Sequence, residues 1–114
     1  MGDKAARLRK LAVLLRTGAQ EYATLMAEEM GKPVAQGVAE VEKCAMTCDY
    51  YAENAADFLA DEIIESDASK SFITYQPIGV VLAIMPWNFP FLQVVRFAAP
   101  TLTAGNTVIV KHAP

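Results

Sequence analysis

Apolar residues in the first half of the chain recur with the period of an α-helix. Positions 8, 11, 12 and 15 are apolar and follow the i, i+3, i+4, i+7 spacing, which predicts an amphipathic helix over residues 3–16. A second helix is predicted over residues 20–30. Gly31 is suited to the end of that helix, and Pro33 is suited to the start of the next one.

The third predicted helix carries the longest apolar stripe, whose members alternate at spacings of four and three. The stripe consists of Val34, Val38, Val41, Ala45, Cys48, Ala52, Ala55 and Leu59. Its alanines would let a neighbouring element approach closely. The acidic residues of the same stretch, Glu40, Glu42, Asp49, Glu53 and Asp57, are assigned to a solvated outer face. This helix is expected to fade at residues 61–64, before a polar loop at 65–70.

The pattern changes to that of β-strands after residue 70. Residues 71–76 alternate as a strand does, and a β-type apolar run over 79–85 ends in the proline-bounded loop 86–90. A helix-length apolar segment follows, closed by Gly105 and Asn106, and a β-branched run over 107–110 then ends at Lys111. Strand, loop, helix and strand form a βαβ unit, which binds ligands at the carboxyl ends of its strands. The predicted fold class is therefore α/β.

Composition narrows the class of protein. The 114 residues are enough for one domain, the net charge is −3 and 54% of the residues are hydrophobic, above the roughly 45–50% of an average soluble domain. The excess predicts a piece of a longer protein whose other parts cover apolar surface. There is no basic stripe for nucleic acid. The uncharged stretch 71–95 is excluded as a membrane span because Pro77, Pro86 and Pro90 each break a helix.

Two cysteines, Cys44 and Cys48, lie one helical turn apart. Helical spacing rarely supplies the geometry of a disulfide, so we predict two reduced thiols. No signal peptide is visible, and the predicted location is cytoplasmic. No metal site is predicted, because zinc needs more ligands than this pair and the single histidine, His112, is distant in sequence.

Asn88 and Lys111 are the candidates for chemistry. Asn88 lies between two prolines that each fix φ, and a buried amide held in this way would donate to a developing oxyanion; the alternative is a cap for the following helix. Lys111 ends a strand, where it would meet an anion or a hydroxyl-rich ligand, or else extend to solvent. Trp87 could flank a ligand or fill the core, and it is interpreted as core. Arg96 is interpreted as structural. No G-x-G-x-x-G sequence is present, which excludes a standard phosphate loop.

Two segments, GVVLAIMPWNFP at 79–90 and APTLTAGNTVIVK at 99–111, together resemble the aldehyde dehydrogenase superfamily. The sequence MGKP at 30–33 and the helix after it are similar to the N-terminal helices of the same family. Residues 83–90 and 111–114 are most similar to bacterial succinate-semialdehyde dehydrogenases. The resemblance implies a single partial domain over 1–114, with helices at 1–64 and, at 71–114, the first βαβ unit of a Rossmann-like NAD(P)-binding domain.

The resemblance also implies roles for individual residues. Asn88 matches the family asparagine whose amide helps to hold the oxyanion, and Lys111 matches the lysine that binds the adenosine ribose of NAD or NADP. The residues that match positions along the cofactor are Ile84, Met85, Pro86 and Trp87. The family reaction oxidises an aldehyde to a carboxylic acid: a cysteine thiolate attacks the carbonyl, hydride leaves to the nicotinamide, and water hydrolyses the thioester.

One position departs from the family pattern. Family members often carry glutamate where this chain has Pro114, and a carboxylate there would repel a 2′-phosphate, so NADP is expected to be tolerated.

Family enzymes are several times longer than this chain. The nucleophilic cysteine and the general-base glutamate are therefore expected beyond Pro114, in a homo-oligomeric enzyme for a small-molecule aldehyde such as succinate semialdehyde. The chain alone, as an N-terminal piece, is expected to be inactive. The alternatives are a truncated, non-catalytic dinucleotide-binding homologue and a structural segment that needs partner chains.

Overall fold

The computed structural model describes residues 2–114, which form four helices and four strands. The first half contains α1 (Gly2–Thr17), α2 (Ala19–Met30) and α3 (Val34–Phe58), and it is followed by the short strands β1 (Glu62–Ile63) and β2 (Phe72–Ile73). The second half contains β3 (Val80–Ile84), α4 (Leu92–Thr103) and β4 (Thr107–Lys111). The predicted α/β class is confirmed, with every predicted helix present.

The helix α3 is the centre of the molecule, because α1, α2 and α4 all pack against it. Its apolar stripe is buried along most of its length, and Val41, Ala45 and Cys48 are wholly inaccessible to solvent. Ala12 of α1 is equally inaccessible and belongs to the same core. Small side chains at this interface let the helices approach closely, as predicted. Only the first residue of the stripe, Val34, is exposed.

The strands β3 and β4 pair in parallel, in register from Val80 opposite Thr107 to Ile84 opposite Lys111. The backbone N–H of Met85 donates to the carbonyl oxygen of Lys111 at 3.0 Å, which extends the ladder one residue past the strands. The helix α4 connects the two strands, so the predicted βαβ unit is confirmed. The carboxyl ends of β3 and β4 therefore lie side by side at one edge of the sheet.

Asn106 fixes the turn between α4 and β4. Its Oδ1 accepts the backbone N–H groups of Ile78 and Gly79 at 2.7 and 3.0 Å, and its Nδ2 donates to the carbonyl oxygen of Thr101. Gly105 precedes it with φ of +94°, a conformation that residues with a side chain rarely adopt. The predicted Gly105–Asn106 ending of α4 is therefore a turn that also anchors the start of β3.

The segment between α3 and β3 differs from its prediction. The expected strand over 71–76 is only two residues long, as β2, and it pairs antiparallel with β1 in a sheet separate from β3 and β4. β1 occupies the stretch where α3 was expected to fade. All four residues of these strands are exposed, so their alternation has no buried face to select a longer pairing.

The molecule is elongated, with extents of 62 × 26 × 20 Å. Apolar side chains of both parallel strands are exposed, among them Leu82, Ile84 and Ile109. Between residues 2 and 114, none of the helices combines the length and the apolar character needed to cross a membrane.

Candidate functional site

The loop that follows β3 carries Asn88. This residue is exposed, whereas the sequence predicted a buried amide. The alternative interpretation, that Asn88 caps the following helix, is also wrong. α4 begins at Leu92, and its N-cap position is occupied by Phe91, whose side chain has no hydrogen-bond acceptor. The side-chain amide of Asn88 is therefore not used as a cap for α4.

The cap of α4 comes from α3. One carboxylate oxygen of Glu40, Oε2, accepts the backbone N–H groups of Phe91 and Leu92 at 2.8 and 3.1 Å. The first N–H groups of a helix have no partner within the helix, and a negative charge at that end is favourable. Glu40 is only 4% exposed, so its assignment to the solvated outer face is wrong.

Lys32 completes the contact between the helical layer, formed by α1, α2 and α3, and the loop at residues 86–90, which we call the Asn88 loop. Its ammonium group pairs with Oε1 of Glu40, donates to the backbone carbonyl oxygen of Asn88 at 2.9 Å, and lies 3.9 Å from the centroid of the Phe89 ring. The side chains of Lys32 and Glu40 are 9% and 1% exposed. The two charges are thus almost fully withdrawn from water, and each is compensated by the other and by backbone groups.

Two grooves flank this loop. The larger, of about 430 Å³, is lined by Asn88 together with Lys43, Gln93 and Arg96, and we call it the Asn88 groove. The Arg96 guanidinium is exposed and donates to Oε1 of Gln93 at 2.6 Å. The lining contains three cations, Lys32, Lys43 and Arg96, against the single carboxylate of Glu40. Because cations outnumber the carboxylate and amides line the same groove, the Asn88 groove suits a small ligand with anionic and carbonyl groups.

The smaller groove, of about 180 Å³, contains four of the residues predicted to bind a cofactor: Met85, Pro86, Trp87 and Pro114. We call it the Trp87 groove. Trp87 is 67% exposed, so its interpretation as core is wrong. Ile84 and Lys111 face each other at the strand ends but do not line this groove. The Lys111 side chain is exposed, and its ammonium donates to the carbonyl oxygen of His112.

Cys44 and Cys48 lie in the core, away from both grooves. Both thiols are free and buried, as predicted for a reduced pair. Burial raises the pKa of Cys44 to about 12 and that of Cys48 to about 11, and neighbouring acidic residues add to both shifts. Across residues 2–114, no set of three or more His, Cys, Asp or Glu side chains is arranged to hold a metal ion.

Sequence reasoning missed Glu40 and Lys32 as parts of the site. A signal for Glu40 was present, because Gly37, Glu40, Val41 and Cys44 have the i, i+3, i+4, i+7 spacing of a single helix face and are all buried. An acidic residue on such a face needs a partner, and the Lys32 side chain supplies it from the turn before α3. Arg96, interpreted as structural, lines the Asn88 groove.

A helical layer packed on a parallel βαβ unit, with grooves beside the carboxyl ends of both strands, defines an α/β protein with a candidate ligand site at its strand ends. The sequence model described as "Aldehyde dehydrogenase family" matches residues 1–114. The chain belongs to the aldehyde dehydrogenase family.

Two relatives similar to this chain are named as succinate-semialdehyde dehydrogenases. A probable succinate-semialdehyde dehydrogenase [NADP(+)] of Synechocystis sp. is 58% identical over 106 residues, which is 93% of this chain and 23% of the relative. The succinate semialdehyde dehydrogenase [NAD(P)+] Sad of Escherichia coli is 45% identical over 97% of this chain and 24% of the relative. The chain therefore spans about a quarter of the length of these relatives.

Solved structures agree in fold. Succinic semialdehyde dehydrogenase from Streptococcus pyogenes, solved in complex with NADP+, is 38% identical and superposes with a TM-score of 0.94 over 98% of this chain and 25% of that protein. The helical layer and the βαβ unit described above are therefore shared with that protein.

Proposed function

We propose that the full-length protein that carries this chain oxidises succinate semialdehyde to the dicarboxylic acid with NADP+ or NAD+. The observation that carries the proposal is the Asn88 groove, in which an exposed amide and the exposed Arg96 guanidinium line the same cavity. Two sequence comparisons support the proposal independently of the geometry: the chain belongs to the aldehyde dehydrogenase family, and two of its relatives are named for this substrate.

Asn88 is proposed to donate to the aldehyde oxygen as it becomes negatively charged. A neutral amide held by a stiff loop stabilises this charge without having to reorganise. Asn88 is suited to the role because its side chain is exposed and its backbone is held through Lys32.

Arg96 is proposed to bind the carboxylate at the far end of the substrate. The guanidinium presents several donors, and its single side-chain partner within residues 2–114 is the neutral amide of Gln93. Lys43 contributes a second positive charge to the same groove. A substrate with one aldehyde and one carboxylate would therefore place its anionic end beside Arg96 and its reacting end beside Asn88.

The cofactor is proposed to lie along the Trp87 groove and the strand ends. The residues present fit a dinucleotide: Trp87 offers an exposed aromatic face, and Lys111 is an exposed cation at the end of β4, where a ribose or phosphate would be met. Pro114 adds no negative charge there, which suits the extra phosphate of NADP. When bound, the nicotinamide would accept the hydride from the substrate.

The nucleophilic thiol is proposed to come from outside residues 2–114. Cys44 and Cys48 are unsuited to the role because they are buried and their pKa values are raised to about 12 and 11, whereas a nucleophile must ionise and reach its substrate.

The role of Asn88 is tested by Asn88→Ala in the full-length protein. Loss of one oxyanion donor should lower kcat by about 10²–10³-fold, measured as NADPH formation from succinate semialdehyde. Asn54→Ala is the matched control, since the Asn54 amide only donates to the Tyr50 carbonyl on α3 and its loss should leave kcat unchanged. Wild-type turnover by the Asn88→Ala enzyme would contradict the proposal, and an inactive wild-type protein would favour a non-catalytic binding role.

The role of Arg96 is tested by Arg96→Met, which keeps the length of the side chain but removes its charge. The KM for succinate semialdehyde should rise by about 10–10²-fold, as expected for loss of a hydrogen bond to a charged group. The KM for butanal, which has the same four carbons and no carboxylate, should not change. An equal change for both aldehydes would show that Arg96 does not select the carboxylate.

A further inference from the structure

We propose, on the basis of the proposed function, that Lys32 and Glu40 are positioning residues for Asn88. The buried Lys32–Glu40 ion pair holds the backbone carbonyl group of Asn88 and the backbone three and four residues after it, and thereby sets where the Asn88 amide lies in the Asn88 groove.

The first part of this arrangement acts after Asn88 in the sequence. Oε2 of Glu40 accepts the N–H groups of Phe91 and Leu92, the third and fourth residues after Asn88. These two hydrogen bonds fix the position at which α4 begins. Because the loop connects directly to this turn, a shift of the turn would move the loop with it.

The second part acts on Asn88 itself. Lys32 donates to the backbone carbonyl oxygen of Asn88 at 2.9 Å, and its ammonium lies over the Phe89 ring. One lysine thus holds the peptide unit that begins at Asn88 and the aromatic side chain that follows it. The lysine is held in turn by Oε1 of Glu40.

Stability alone does not account for this pair. A buried ion pair contributes little net stability compared with apolar side chains of similar volume, because both charges lose their hydration. The rest of the buried face of α3 is made of apolar residues and glycine, so Glu40 is the one charged residue on this face. What Glu40 and Lys32 supply, and apolar residues would not, is direction: an acceptor aimed at two N–H groups and a donor aimed at one carbonyl oxygen.

Glu40→Gln separates the two parts of the arrangement. A glutamine has nearly the same volume, and its single oxygen still accepts from Phe91 and Leu92. Its amide nitrogen then faces the Lys32 ammonium, so two donors oppose each other and Lys32 loses its partner. In the full-length enzyme, kcat for succinate semialdehyde should fall by about 10–10²-fold, as a small misplacement of a reacting group does, while the KM for NADP stays unchanged.

A double-mutant cycle distinguishes positioning from general destabilisation. In the Asn88→Ala background there is no amide left to position, so the further change Glu40→Gln should lower kcat by no more than about threefold, a strongly non-additive result. General destabilisation would instead multiply the two losses.

Two further variants complete the test. Glu42→Gln removes a carboxylate from the exposed face of the same helix, where Glu42 pairs with Arg16, and should leave kcat unchanged. Lys32→Met combined with Glu40→Gln leaves no buried charge unpaired, so it keeps the test valid if Glu40→Gln alone does not fold. It should lower kcat as Glu40→Gln does.

Multiplicative losses in the cycle, or wild-type kcat in a folded Glu40→Gln or double-variant enzyme, would overturn the positioning role and leave the proposed function intact. A folded wild-type protein without aldehyde oxidation would overturn the proposed function and this inference together. The two failures are distinguished by the activity of the wild-type protein.

Discussion

The two cysteines of α3 illustrate how burial governs chemistry at the scale of a residue. Their pKa values, about 12 and 11, lie above those of thiols in the unfolded chain. The folded state therefore holds its thiol protons more tightly. Protonated thiols stabilise the fold fully below about pH 9, and this contribution is lost as the pH rises towards the folded-state values.

We expect Cys44 and Cys48 to resist alkylation in the folded protein. At pH 8 the thiolate fractions are about 10⁻⁴ for Cys44 and 10⁻³ for Cys48, following from pKa values of about 12 and 11. Treatment with iodoacetamide followed by digestion and mass spectrometry should show the peptide with both cysteines unmodified after native labelling at pH 8.

The same peptide should be fully modified after labelling in denaturant, which serves as the control. The rate of labelling in the native protein should also increase as the pH is raised above 8, because burial keeps both thiols protonated at that pH. Native labelling at pH 8 as fast as that of a free thiol would contradict the burial described above.

At the scale of elements, the packing of α2 against α3 depends on one glycine. A Cβ atom placed on Gly37 would lie 2.9 Å from the Cβ of Ala23 and 3.0 Å from its Cα. The second of these is a backbone atom of α2, which cannot rotate away. The helices α2 and α3 can approach this closely because Ala23 carries only a methyl group and Gly37 has no side chain.

Gly37→Ala should destabilise the protein, although alanine favours helices. Replacing glycine inside a helix normally adds about 0.5–1 kcal/mol of stability, whereas overpacking a close interface costs about 1–3 kcal/mol. We expect the second effect to prevail and to lower the free energy of unfolding by about 1–2 kcal/mol, measured by urea unfolding followed by circular dichroism. Gln36→Ala is exposed on the same helix and should stay within about 0.5 kcal/mol. A more stable Gly37→Ala protein would show that α2 can move away from α3.

Helices were predictable from sequence because their apolar periodicity extends over many residues. In α3 the stripe from Val41 to Ala55 is spaced so regularly that its buried face follows from the order of residues alone. The short strands β1 and β2 were not predictable in this way. Two residues set no period, and their pairing depends on contacts with each other rather than with a core.

At the scale of the whole molecule, residues 2–114 present no accessible thiol for the proposed reaction. The site residues lie on an elongated unit whose parallel strands leave apolar side chains such as Leu82 exposed. The thiols within residues 2–114, Cys44 and Cys48, are inaccessible in the core of the helical layer.

The 114-residue chain purified by itself should therefore produce no NADPH from succinate semialdehyde and NADP+, because it offers no accessible thiolate to attack the aldehyde. The measurement is absorbance at the NADPH band, with the full-length protein as the positive control at equal molar concentration. Aldehyde-dependent NADPH formation by the isolated chain would contradict the assignment of the nucleophile to another part of the protein.

The order of residues by itself determined the helices, the βαβ unit, the turn at Gly105 and the presence of Asn88 and Lys111 at neighbouring strand ends. These features are local, or follow from the rule that parallel strands end at one edge of a sheet. Tertiary structure alone decided that Glu40 caps α4, that Lys32 holds the Asn88 loop, and that Trp87 is exposed. The reason is physical: the partner of an unpaired backbone group or a buried charge is whichever residue folding brings within hydrogen-bonding distance, and sequence spacing does not encode that distance.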